Sequence, residues 1–279
     1  MNKYLLVKLA VVGIFCFTYT TLAAEEMGYV KQAEQDNLLN DALRLLKDRK
    51  DKDALEIFEK IIASQADNLD ALWGKAEVLR RSRDYKESEE LLNKILSLNP
   101  KHIPSLISLS YIRYKDDKLN EALELIGQVL KMDALDKENQ ALAYMMLGSI
   151  NSRRSKKGWV LSKVAYGTHI KGYFLRAKEL APHLPEVHLG LGTFYLLAPA
   201  IVGGDLNKAF QELELTVKLA PEFATANARL AQAYKKKGDL EKYNFHLQRA
   251  RELDPENEVL REIGEKQNLN ADTRRLHAD

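Results

Sequence analysis

From about residue 33 the chain repeats short apolar stripes at three- and four-residue spacing, separated by polar positions. Leu106, Leu109 and Ile112 form one stripe, and Ala122, Leu125, Ile126 and Val129 form another. This is the period of an amphipathic helix. Polar turns part successive stripes: Arg83-Asp84, Gly204-Asp205 and Gly238-Asp239. An Asp at that place is suited to cap the helix that follows.

The prolines supply a ruler. Pro100, Pro182, Pro221 and Pro255 each close a similar phrase, as in Val-Lys-Leu-Ala-Pro and Arg-Glu-Leu-Asp-Pro. Pro221 and Pro255 stand 34 residues apart, and steps of 34 from Pro100 reach Ala66 and Ala134. Against these six ends a small residue recurs 24 positions earlier, at Ala42, Ala76, Ser110 and Ala231. Another recurs 12 positions earlier, at Ala54, Ser88, Ala122 and Ala209. A bulky apolar residue stands 8 positions earlier: Phe58, Leu92, Ile126, Phe174, Leu213 and Leu247. The expected unit is a helix–turn–helix in which neither helix buries its stripe alone, so stacked neighbours make one continuous core. Proline stops the second helix, while Pro104 and Pro185 suit the first turn of the next one.

The fold class expected is therefore all-α, an α-solenoid of about six such repeats with a C-terminal capping helix. The repeats fall at about 33–66, 69–100, 103–134, 141–182, 185–221 and 224–255, with a cap over 256–270 and a frayed polar tail over 271–279. The pattern resembles the tetratricopeptide repeat family. Leu230-Ala231-Gln-Ala-Tyr234, Gly238-Asp239 and Ala250 carry the resemblance most fully in the sixth repeat.

Residues 1–24 follow a different rule. Lys3 and Lys8 flank the start, Leu9 to Phe17 is an unbroken apolar run, and Thr21 and Ala23 are small residues at the spacing of a secretory cleavage site. The expectation is a signal peptide cleaved after Ala23 or Ala24, delivering the rest to the periplasm of a Gram-negative bacterium or to the outside. Cys16 lies within the apolar run after Phe15, a poor setting for lipid attachment. The chain's formal charge of +2 belongs to that segment, since without Lys3 and Lys8 the basic and acidic residues are equal in number. Its 1 Cys goes too, which excludes a disulfide framework. A balanced charge argues against nucleic acid as the partner.

Catalytic motifs are not evident. The six histidines, His102, His169, His183, His188, His246 and His277, show no His-x-x-x-His spacing and are expected at loops or helix surfaces. No Gly-x-Ser-x-Gly elbow occurs. No enzyme activity, cofactor or metal is expected.

The family resemblance implies that the first helix of each repeat lines a concave groove that holds a protein or peptide partner. It nominates Trp73, Arg80, Arg81, Ile107, Tyr111, Tyr114, Met145 and Arg153, together with Lys115, Leu196, Lys235 and Lys236. Aromatic, Met and Arg side chains are the types that anchor interfaces.

Two repeats exceed the ruler, and extra residues are expected in loops. The first insertion, Asn151 to Tyr166, carries Arg153, Arg154, Lys156 and Lys157 with Trp159 and Tyr166. Either the aromatics pack on a neighbouring repeat beneath solvated cations, or the run meets an acidic partner, lipid phosphates or nucleic acid, the last being at odds with export. The second, Leu197 to Gly204, places Pro199, Ile201, Val202, Gly203 and Gly204 where a turn is normally polar. It either folds under the next repeat or lines a pocket. Residues 170–235 also resemble the TatT-like proteins associated with TRAP transporters, on the Pro199-Ala-Ile-Val-Gly-Gly-Asp205 loop. That resemblance implies an accessory of a periplasmic solute transport system, with an apolar cavity for a small molecule. A transport accessory and an exported interaction scaffold are thus the two functions in view.

Overall fold

The computed structural model describes residues 33–156 and 160–265, with side chains outside 156–168. The expected signal peptide and C-terminal tail lie outside the described residues. What is described is helical throughout apart from turns, with no strand. In chain order the helices are α1 (33–47), α2 (Asp51–Ser64), α3 (Leu69–Arg81), α4 (Tyr85–Leu98), α5 (Ile103–Lys115) and α6 (Leu119–Val129). Then follow α7 (Lys137–Lys156), α8 (Val160–Leu180), α9 (Pro185–Leu197), α10 (Leu206–Leu219), α11 (Ala224–Lys237), α12 (Leu240–Leu253) and α13 (258–265). The prolines act as the ruler implies. α4, α8, α10 and α12 stop two residues before Pro100, Pro182, Pro221 and Pro255, and Pro104 and Pro185 occupy first turns.

The chain forms two compact units that divide between Val78 and Leu79. In the first, Ala42 and Leu46 of α1, Ala54, Phe58 and Ile61 of α2, and Ala71 and Val78 of α3 make one core. Gly74 lies directly against the Phe58 ring: a Cβ there would stand 2.1 Å from its Cζ. The absent side chain is what lets the two helices close over the ring.

In the second unit α5, α7, α9 and α11 pack on α6, α8, α10 and α12 in turn, and each also touches the next in that series. The first helices thus form one layer and the second helices another. The small residues of the ruler are the points of closest packing. Ala42, Ala54, Ala76, Ser88, Ser110, Ala122, Ala209 and Ala231 are all fully buried.

The turn inside the repeat has a recurrent backbone that the residue types conceal. Arg49, Arg83 and Asp117 have φ of 65°, 69° and 63°, and Gly238 has 85°. These four stand at the same step of the ruler, 17 residues before ends 66, 100, 134 and 255. Each turn is closed by one bond spanning five residues: Lys50 N–H to Leu45 O, Asp84 to Leu79, Lys118 to Arg113, and Asp239 to Tyr234. This left-handed C-terminal cap satisfies carbonyls that the helix end would otherwise leave bare. Asp205 and Asp239 then cap the next helix, accepting from Asn207 and Lys208 N–H at 3.0 and 3.1 Å and from Lys242 N–H at 3.1 Å. Asp84 makes no such bond, contrary to expectation.

The described parts of the first insertion are helical rather than loop. Its described residues extend α7 to 20 residues and open α8, which runs for 21. No proline falls in 151–156 or 160–166, so helical hydrogen bonding runs through both described stretches. Ser149, Asn151 and Ser152 donate side-chain bonds to carbonyls one turn back, at 2.8 to 3.0 Å. Trp159 lies outside the described residues. Tyr166 falls within α8, with its side chain outside them.

Candidate interaction face

In the second unit the last turn of α3 and the first helices α5 and α7 bring four nominated residues into one ladder. Tyr111 and Tyr114 are three apart on α5, hence on one face. Their ring centroids are 6.2 Å apart. The guanidinium of Arg80, from α3, lies 4.2 Å from the Tyr111 ring centre. That of Arg153, from α7, lies 4.9 Å from the Tyr114 ring centre. Arg153 also donates to the Tyr114 carbonyl at 3.2 Å and pairs with Asp117 at 3.3 Å. Cation–aromatic contacts of this kind contribute about 0.5–1 kcal/mol each when exposed, and about 2 when desolvated.

The charge state of this face follows from its packing. Burial pushes the Tyr114 hydroxyl up, outweighing Arg153 beside it. Burial also raises Tyr85, the first residue of α4, helped by Tyr111 and opposed by Lys115, Arg80 and Arg83. Burial works against the charge on Lys115, but the neighbouring Tyr111, Glu258 and Tyr85 outweigh it and hold its pKa above the ordinary value. At neutral pH Tyr85 and Tyr114 are therefore neutral phenols and Lys115 is a cation.

The remaining nominated residues are placed differently. Ile107 is 8% exposed and belongs to the core formed with Leu106, Ile126 and Met146. Leu196 is also buried. Met145 is half-buried, filling space between clusters. Trp73 belongs to the first unit, half-buried on its core. Arg81 is half-buried at the end of α3. Lys236 donates to the Leu196 carbonyl at 2.5 Å, and Lys235 lies over the Tyr243 ring at 5.3 Å. Sequence reasoning missed Arg83 and Tyr85, which lie on a turn and a second helix rather than a first helix.

The apolar loop resolves into a turn of 3-10 helix, Ala200–Val202. It is tied internally by Val202 and Gly204 N–H to the Pro199 carbonyl and by Asp205 N–H to Tyr195 O, all at 3.0 Å. Val202 points inward and is buried, whereas Ile201 is 80% exposed and Pro199 is exposed. Gly203 takes φ of 101°, and a Cβ on Gly204 would stand 1.9 Å from the Ala198 carbonyl oxygen. The close approach Gly204 permits is to the chain's own backbone, and Gly203 faces the Lys171 side chain.

The histidines require a correction. His188 is 1% exposed and His102 is 8% exposed, so neither is a surface residue. Their polar partners allow the burial: His102 Nδ1 is 2.8 Å from Ser105 Oγ, and His188 meets Glu212 and the Pro182 carbonyl. His246 is half-buried and stacks on Tyr234 with centroids 5.5 Å apart. His169 and His183 are exposed as expected, and His277 lies outside the described residues. Among the described residues no group of three or more His, Cys, Asp or Glu is gathered as a metal site.

A family model for the tetratricopeptide repeat matches residues 45–110. No curated protein matches the chain at significant similarity. Among solved structures, human IFIT1, a dimer with m7Gppp-AAAA, is 19% identical with a TM-score of 0.58, over 81% of this chain and 51% of its own. The Cut9–Hcn1 hetero-tetramer of the APC/C gives 15% identity and a TM-score of 0.55, over 81% of this chain and 42% of the other. Pseudomonas aeruginosa pilF gives 17% identity and a TM-score of 0.46, over 83% and 97%. The first two share the all-α helical-repeat fold, and residues 45–110 are similar to the tetratricopeptide repeat.

Proposed function

We propose that the protein is a non-enzymatic scaffold of the cell envelope that grips a partner protein on the layer of first helices in its second unit. The observation that carries this reading is the Arg80–Tyr111–Tyr114–Arg153 ladder. Aromatic and guanidinium side chains from three consecutive first helices form one half-exposed strip, and these are the residue types that dominate interface energetics. A ladder kept only for stability would more economically be apolar, as the neighbouring core of Leu106, Ile126 and Met146 is. The envelope location rests on the basic-apolar-small order of residues 1–24.

The test is affinity capture from envelope extracts with quantitative mass spectrometry, comparing the native chain with Arg80→Glu and Arg153→Glu. The proposal expects a specific partner to be lost from both variants while each stays folded, with a melting temperature lowered by about 2–8 °C at most. Equal recovery from all three would exclude the ladder as the gripping surface.

A further inference from the structure

The cations beside the ladder are answered from the far end of the chain. Asp254, in the turn after α12, pairs with Arg83, and Glu258, the first residue of α13, pairs with Lys115. Four residues on, Glu262 takes Arg229 of α11 through two bonds at 2.7 and 3.2 Å. Burial opposes the charge on Glu258, but Lys115, Arg153 and Arg229 around it hold its carboxyl below the usual range.

Exposure is uneven within the Lys115–Glu258 pair. The lysine side chain is 17% exposed and the glutamate 61%. The cation is recessed in the face and the carboxylate reaches it from outside. The backbone that carries Glu258 is anchored separately, through buried Val259 and Ile263 and through Asn257, which donates to Thr225 Oγ1 at 3.1 Å. Glu258 can therefore leave Lys115 by side-chain rotation while α13 stays docked, whereas Asp254 in leaving Arg83 also gives up its bond from Asn257 Nδ2 at 3.0 Å. Partly exposed ion pairs are weak and salt-screened, so such an exchange is easy.

We infer that Asp254 and Glu258 are placeholders, and that the segment this face accepts from its partner is acidic, setting its own carboxylates on Arg83 and Lys115. The inference rests on the reading of this face as the partner-binding surface. An incoming carboxylate replaces an internal one at the same cation, so neither Lys115 nor Arg83 is left buried without an anion. It also accounts for the cations Arg80, Arg83, Lys115 and Arg153 gathered on this face in a protein whose total charge is nearly balanced.

The test uses the full chain and fluorescein-labelled hexaglutamate, with hexalysine as control, read by fluorescence anisotropy at low ionic strength. Asp254→Asn/Glu258→Gln should bind hexaglutamate about tenfold more tightly than the native chain, the scale of one or two such ion pairs. Arg83→Gln/Lys115→Gln should lose that binding, and 0.5 M salt should erase the difference, to within about twofold. Circular dichroism shows whether each variant is folded. If the Asp254→Asn/Glu258→Gln chain is folded and binds hexaglutamate no better than the native chain, the placeholder role is overturned. That outcome is separable from failure of the scaffold reading, since loss of the captured partner on Arg80→Glu would still stand.

Discussion

Nδ1 of His188 lies 2.6 Å from Oε2 of Glu212, on a histidine that is 1% exposed. Nε2 faces the Pro182 carbonyl at 2.7 Å, and the second Glu212 oxygen receives Lys178 at 2.7 Å. Both ring nitrogens face acceptors, so each bond requires a ring N–H. The cluster ties α9, α8 and α10 together across the turn at Pro182.

That geometry sets a pH dependence. Burial works to raise the Glu212 carboxyl, but hydrogen bonds from His188 and Lys178 overcome it and hold the pKa below the ordinary value. A carboxylate depressed in the folded state adds stability above its unfolded pKa, about 4.3, and that stability is lost as pH falls through the folded value. Glu212→Gln should destabilise the protein by about 1–3 kcal/mol at pH 7 by leaving buried donors poorly matched. The gap should close as pH falls below about 4. Thermal melts across pH check this, and a gap independent of pH would contradict it. His246 adds a second acid-sensitive element, since burial lowers its pKa and its contribution is lost as pH falls from its unfolded value toward the folded one.

Three glycine-to-alanine changes should differ in sign for separable reasons. At Gly127, on α6, nothing lies within 4 Å of the added carbon, so helix propensity alone operates and alanine should stabilise by about 0.5–1 kcal/mol. Gly238 has equally open space but φ of 85°, so the same change should cost about 1–2 kcal/mol. At Gly74 the methyl would overlap the Phe58 ring, and overpacking should cost about 1–3 kcal/mol. Chemical denaturation of the three variants separates them, and a common sign would contradict the assignment.

The mature N-terminus is the next expectation. Intact-mass measurement on protein from an envelope fraction should give a chain beginning at Ala24 or Glu25, without Cys16. A mass that includes residues 1–24, or one carrying a lipid on Cys16, would overturn cleavage after Ala23 or Ala24.

The helix boundaries were legible because they depend on local chemistry. A proline cannot continue a helix, and an alanine such as Ala54 or Ala122 marks where two helices close to contact. The left-handed turn was hidden because Arg49, Arg83 and Asp117 hold a conformation for which only Gly238 is a recognisable sign. The long α7–α8 pair carries the sequence signature of a loop insertion, because the ruler registers extra residues but not whether they continue a helix. Of the groove residues, those on one helix face, Tyr111 and Tyr114, follow from spacing. Ile107 sits on the same helix but turns into the core. The Arg83–Asp254 pair joins positions 171 residues apart and leaves no local trace.

The most direct measurement is photo-crosslinking in living cells with benzoylphenylalanine in place of Tyr111, compared with the same probe in place of the exposed Glu90 on α4. The account predicts a discrete protein adduct from position 111 that disappears when Arg80→Glu is added, and none from position 90. An adduct from position 90 alone, or one from position 111 that persists with Arg80→Glu, would contradict it.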